Sequence, residues 1–190
     1  MAYVPSSSVI KYEKKDRVAW VTLNRPEAMN ALNTEIRIAI TEAMGEVERD
    51  DDVLVAVLIG EGGRAFCAGN DLKEQTQLDT AAGGAGSRNT PSGSQAVYEC
   101  LKPTIAAIDG YALAGGMQRL PRQIGMKNAM GMMLTGRHVG AEEAKELGIV
   151  NEVVTQADLM DTARKWAIDI EACSPMSIRA TKQVRSEERR

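Results

Sequence analysis

The chain has 190 residues, 44% of them apolar and 26% charged, with a formal net charge of −3. It is long enough to bury the core of one domain, or one plus an appendage, and it carries no basic footprint for nucleic acid. No apolar run approaches the ~18 residues of a membrane span, and the N-terminus lacks the basic-then-apolar order of a signal peptide. Cys67, Cys100 and Cys173 are widely spaced and there is a single histidine, a pattern that argues against a disulfide framework or a zinc site and suits a reducing cytoplasm.

In chain order, "VIKYEKKDRVAWVTLNRP" holds two alternating runs around a charged turn, Val9–Glu13 and Val18–Leu23, and predicts a β-hairpin. Ile36, Ile40, Ala43 and Val47 then share one face of a helix that Asn33 or Thr34 would cap. "VLVAVLIG" and "PTIAAIDGYA" are apolar throughout, as expected of neighbouring strands (Val53–Ile59 and Thr104–Asp109) buried on both faces. Between them, Thr80–Ser94 is rich in Gly and Ser and is expected to be a mobile surface loop. With only 4% aromatics and ten Met, the core is expected to be aliphatic, with Met126, Met130 and Met133 as filler. Farther on, Gly140 and Gly148 bracket a short helix, "IVNEVV" predicts a strand, and Leu159, Ala163, Trp166 and Ile170 line a long amphipathic helix. Another helix begins after Ser174-Pro175. Strands alternating with helices indicate an α/β layered domain.

Two stretches could carry chemistry. Gly60-x-Gly62-x-x-Ala65 formally matches a dinucleotide fingerprint, but "AFCAG" follows where that motif requires a helix, and Asp79, at the right distance for its acidic residue, opens a Gly/Ser loop. In "CAGND", Ala68-Gly69 offers small residues for close backbone approach, and Asn70-Asp71 suits a helix N-terminus. Such a turn is either a plain strand-to-helix connection or, through its free N–H groups, an anion-stabilising concavity. "GYALAGG" also ends a buried strand in small residues. Two such turns together make a paired-amide oxyanion hole.

"VTLNRPEAMNALN", "RAFCAGNDLKE", "KPTIAAIDGYALAGG", "QRLPRQIG", "LTGRHVGAEEAKELGIVNEVV" and "SPMSIRATKQ" together, and in that order, resemble the enoyl-CoA hydratase/isomerase (crotonase) family over nearly the whole chain. The resemblance implies an α/β, crotonase-like fold of repeated β-β-α units over residues 1–155, with residues 156–190 beginning a helical C-terminal region. It implies an acyl-CoA thioester substrate, with coenzyme A as part of that substrate and no separate cofactor or metal, and a homotrimer or dimer of trimers. In the family, two backbone N–H groups hold the thioester oxygen as it becomes an enolate. Carried over, the donors are Asn70 and Gly115. Asp71, Leu72 and Lys73 would continue the substrate-contacting turn from Ala68, with Lys73 near CoA phosphate, and the backbone around Ala28 and Ala65 would border adenine and pantetheine. Side chains are expected to matter little to such a hole.

The chain departs from the family's pattern at "GYALAGGMQRLPR". In relatives, "GYALGGG" is followed by a helix beginning with one catalytic glutamate and later by a second in a "P-E-x-x-x-G" segment. Only then does "G-G-T-Q-R-L-P-R" arrive. Here the first motif runs straight into the last, so an internal segment with both glutamates is missing near residues 116 and 117, and the final C-terminal helices are also expected to be absent. Gly115-Gly116 fit either flanking motif. If they belong to the upstream one, the hole is complete; if to the downstream one, its second donor is lost. Excising central strands would strip buried neighbours of backbone partners, which favours residues left out of the sequence over a true deletion. Positioned acid–base groups contribute about 10²–10⁴-fold each and an oxyanion donor roughly 10²–10³-fold. A chain with the hole and no glutamates would polarise a thioester and barely turn it over. The resemblance therefore leaves open an enoyl-CoA hydratase-type lyase, a sister isomerase or thioester hydrolase, and a non-catalytic acyl-CoA-binding remnant or assembly subunit.

Overall fold

The structure is a computed structural model and describes residues 3–81, 92–113 and 119–187. Its strands are β1 (Ile10–Lys15), β2 (Val18–Leu23), β3 (Val55–Gly60), β4 (Ala65–Cys67), β5 (Thr104–Ala107) and β6 (Tyr111–Ala112). Its helices are α1 (Thr34–Arg49), α2 (Leu72–Ala81), α3 (Gly93–Glu99), α4 (Leu120–Ile124), α5 (Met126–Thr135), α6 (Ala141–Glu146), α7 (Leu159–Glu171) and α8 (Pro175–Glu187). The chain divides into two compact units, Met1–Leu113 with Leu159–Arg190, and Ala114–Asp158.

In the first unit a four-stranded sheet runs β1-β2-β3-β5, and β4 pairs with β6 in a second, small sheet. The expected hairpin is present: β1 and β2 are antiparallel, with Ile10 opposite Leu23 and Lys15 opposite Val18. β2, β3 and β5 are parallel. β3 and β5 are neighbours as expected, although β5 is short and closes the sheet among the described residues, leaving most of its side chains partly exposed.

Alternation along the strands sends side chains to two separate cores. Ala19, Val21, Leu23, Ala56 and Leu58 meet Ile36, Ile40, Ala43 and Val47 of α1 on one face. Trp20, Val55 and Val57 meet Ala163 and Ala167 of α7 on the other. Asn33 is the cap of α1, its side chain accepting from the Ile36 N–H at 3.0 Å. α2 runs on through Ala81, and Ser92 caps α3; the rest of the Thr80–Ser94 segment lies outside the described residues. No helix among the described residues is long and apolar enough to cross a membrane.

Two expectations fail in the second unit. "IVNEVV" forms no strand among the described residues, because the Ile149 and Val150 amides turn back to the Ala144 carbonyl and close α6 around Gly148 (φ 75°). The methionines of α5 are not all core filler: Met126 and Met130 are 64% and 40% exposed, Met133 is half-buried, and only Ala129 of that helix is buried.

The turn between β5 and β6 depends on Gly110. Its φ is 73°, and a Cβ there would lie 2.2 Å from the Arg64 carbonyl oxygen. Backbone rather than a movable side chain is in the way. Gly110→Ala is therefore expected to lower the melting temperature by roughly 5 °C or more, measured by circular dichroism.

Candidate functional site

The "CAGND" stretch lies between two segments distant in sequence. On one side, the Ala68 N–H donates to the Met29 carbonyl (3.0 Å), the Leu32 N–H to the Gly69 carbonyl (2.7 Å) and the Asp71 N–H to the Leu32 carbonyl (3.1 Å). Leu32 and Asn70 form a parallel bridge. On the other side β4 pairs with β6, and the Leu113 N–H donates to the Cys67 carbonyl at 2.9 Å. Gly69 takes φ 85°, and a Cβ added there would lie 3.5 Å from that of Leu113.

This arrangement orients one amide. In a parallel bridge the bonds to Leu32 come from the residues flanking Asn70, leaving the N–H of Asn70 itself turned away. The same follows from peptide planarity: the Gly69 C=O and the Asn70 N–H belong to one trans peptide and point in opposite directions, and the C=O points at Leu32. Among the described residues the Asn70 N–H has no acceptor. A donor on an exposed residue is thus held between β4 and α2.

The supporting side chains were not singled out from sequence. Asn30 is fully buried at φ 55°. Its Oδ1 accepts from the Arg25 N–H (2.9 Å), and its Nδ2 donates to the carbonyls of Glu61 (3.0 Å) and Ala65 (2.8 Å). Arg25 donates to the Ala31 carbonyl (2.6 Å) and to Asp71 Oδ2 (3.1 Å). Asp71 Oδ1 accepts from the N–H groups of Lys73 and Glu74, so it caps α2 while pairing with Arg25. Glu74 reaches across to accept from the Thr34 N–H at 2.7 Å, tying α2 to the start of α1. Arg37 of α1 donates to Asn70 Oδ1 at 2.9 Å.

The residues expected from the resemblance divide accordingly. Ala68, Asn70, Asp71 and Ala28 come together, Ala28 through its neighbour Met29. Ala65 is buried in β4, 1% exposed, with its carbonyl taken by Asn30. Leu72 and Lys73 are exposed on the first turn of α2, Leu72 at 72%. Gly115, and with it the join at 116 and 117, lies outside the described residues. Burial pushes the Cys67 thiol up, which suits a packing residue. Among the described residues no three His, Cys, Asp or Glu side chains are grouped to hold a metal ion. A shallow cleft lined by Trp20, Thr22, Ile59, Met160 and Arg164 opens on the opposite face of the sheet from α1 and takes no part in this site.

The family model described as enoyl-CoA hydratase/isomerase matches residues 13–118 and again 114–189. The (E)-benzylidenesuccinyl-CoA hydratase of Thauera aromatica is 36% identical over 210 residues, covering 92% of this chain and 80% of that protein. The short-chain-enoyl-CoA hydratase of Clostridium acetobutylicum is 33% identical over 208 residues, covering 90% and 78%. The crystal structure of enoyl-CoA hydratase from Mycobacterium tuberculosis H37Rv superposes with a TM-score of 0.84 at 31% identity, over 96% of this chain and 83% of that one. The chain belongs to the enoyl-CoA hydratase/isomerase family, and its fold is the crotonase fold.

Asp71 makes the site sensitive to acid. Burial alone would raise its carboxyl, but the Glu74 N–H, the Arg25 guanidinium and the Lys73 N–H together hold it below its ordinary value of 3.8. A depressed pKa contributes stability that is complete above the ordinary value and is lost as pH falls through the folded one. Asp71→Ala is expected to cost about 1–3 kcal/mol in urea unfolding at neutral pH. The gap from the unsubstituted protein should narrow as pH falls below the ordinary carboxylate value of 3.8 and through the lower folded one.

Proposed function

We propose that the protein is an enoyl-CoA hydratase-type acyl-CoA lyase whose Asn70 and Gly115 amides hold a thioester oxygen as it becomes an enolate. The observation carrying this reading is the Asn70 N–H, without an acceptor among the described residues and turned away from Leu32 by the Leu32–Gly69 hydrogen bond. β6 supports the second donor, since it runs beside β4 and leads within three residues to Gly115. Preorganised N–H groups suit this chemistry because charge develops on one oxygen and the dipoles need not reorganise around it. Ala68, Asp71 and Leu72 continue the substrate-contacting turn, Lys73 stands near CoA phosphate, and the backbone around Ala28 and Ala65 borders adenine and pantetheine. Exposed Ile168 on α7 and Met176 on α8 offer apolar surface on which a homotrimer, the assembly implied by the family resemblance, would close.

We further infer that the acid–base segment has no counterpart in this sequence. Support comes from the family model's matching in two pieces that share residues 114–118. An alignment of 210 residues that takes in 92% of a 190-residue chain likewise carries gaps opposite the relative. On this reading, thioester binding and polarisation reside in the present sequence, and turnover depends on residues outside it. If the join is real, the protein is an acyl-CoA-binding remnant of the family. Peptide mapping decides between these outcomes. A tryptic peptide reading straight through Gly116-Met117 to Arg119 establishes the join; its absence, with a mass above 20.5 kDa and peptides mapping to an intervening segment, establishes a full enzyme.

The hole can be tested in either case. A 3-oxoacyl-CoA ionises to its enolate without a protein base, and the enolate absorbs in the near ultraviolet. Bound at two amides, it should ionise at lower pH than in water. Gly115→Pro removes one donor and should return the titration most of the way to that of the free ligand. An unchanged titration in that variant, with the fold intact by circular dichroism, would place the second donor elsewhere.

A further inference from the structure

Arg37 lies outside every motif discussed above, on the first turns of α1, and it touches both strands of the bridge that orients the Asn70 amide. Its Nη2 donates to Asn70 Oδ1 at 2.9 Å and its Nε to the Leu32 carbonyl at 3.3 Å. The same Leu32 carbonyl accepts from the Asp71 N–H, while the Leu32 N–H holds the Gly69 carbonyl. A planar guanidinium with several donors in fixed directions can bridge two such acceptors at once; a lysine ammonium cannot reproduce the fork. The arginine is itself held. Its backbone N–H donates to the Asn33 carbonyl, its carbonyl accepts from Thr41 Oγ1, and the N-terminus of α1 is capped by Asn33 and by Glu74.

We propose that Arg37 is a positioning residue for the oxyanion donor: bridging the Leu32 carbonyl and the Asn70 side chain, it fixes the Gly69–Asn70 peptide with its N–H toward the substrate oxygen. The proposal rests on the reading of Asn70 as a donor to the thioester oxygen. It also revises the expectation that side chains matter little to this hole, since the Asn70 amide group is one of the two handles by which its peptide is held. The other handle acts through Leu32. Losing Arg37 releases both, whereas shortening Asn70 releases one.

The test is the pH titration of a bound 3-oxoacyl-CoA, followed by its enolate absorbance. This readout reports on the donor and does not move with a loss of fold stability alone. Arg37→Gln should raise the bound ligand's pKa by about one unit, a ten-fold loss in enolate binding, the scale expected of a charge-assisted hydrogen bond. Asn70→Ala, which cuts one of the two ties from the exposed side, should produce a smaller rise. The double variant should be no worse than Arg37→Gln alone, because both changes break the same link. Arg37→Lys, keeping the charge and losing the fork, should not restore the original pKa. An unmoved pKa in Arg37→Gln, additive effects in the double variant, or full restoration by lysine would each overturn the proposal. An unsubstituted protein that leaves the ligand's pKa at its value in water would overturn the oxyanion-hole reading as well.

Discussion

The fully buried side chain of Asn30 is the constraint on which the rest of the site depends. An amide taken out of water must have its donors and acceptor matched, and here the Arg25 N–H and the Glu61 and Ala65 carbonyls match them. Alanine would leave three backbone groups without this partner, and aspartate could not donate to two carbonyls. The left-handed backbone at Asn30 narrows the choice again, because asparagine tolerates it better than most residues. Thus one side chain seats the loop of residues 25–32 on the β3–β4 connection, and the Met29, Leu32 and Ala31 contacts follow from that seating.

Two arginines then fix the turn from opposite ends, and they differ in strength. Arg25 and Asp71 are each only 16% exposed in their side chains, and each makes further hydrogen bonds to backbone. Such a pair is less screened by water than the exposed Lys11–Glu61 or Arg137–Glu143 contacts. Arg37 lies farther out and its bond to Asn70 is exposed, so it contributes little to stability while the site is empty. Its contribution grows when a ligand excludes water from the turn, because the same hydrogen bond is stronger at lower dielectric. On the proposed reading, Arg25 therefore maintains the turn in the free protein, and Arg37 refines the donor's direction in the complex.

The features legible in the sequence were those encoded locally. The hairpin, the cap at Asn33, the apolar face of α1 and the doubly covered β3 follow from spacings of two and of three to four residues. The Asn70-Asp71 turn was legible as a strand-to-helix turn, because small residues followed by Asn-Asp suit a helix start, while the segment alone left its chemistry open. The supports of that turn were not, since Asn30, Arg25, Arg37 and Glu74 act over 31 to 46 positions in sequence. "NRPEAMNALN" contained a signal, an asparagine five residues from an arginine in a proline-started turn, but nothing local says that its amide is buried. "IVNEVV" failed for the converse reason: its composition suits a strand, yet the chain had already committed its first amides to closing a helix.

The supports of the Asn70 amide, from Arg25 through Glu74, all precede the join at residues 116 and 117. None of them requires a strand or glutamate from the segment that relatives carry there. On the proposed reading, the first oxyanion donor is set by this N-terminal network, the second depends on residues after β6, and acid–base chemistry depends on residues beyond both. A network of this kind can hold its donor in place whether or not the catalytic segment accompanies it. On the proposed reading, binding with polarisation is thus separable from turnover. In energetic terms the separation is natural: an oxyanion dipole acts on charge already forming, whereas a base must remove the proton whose loss creates that charge and an acid must deliver the proton that discharges it.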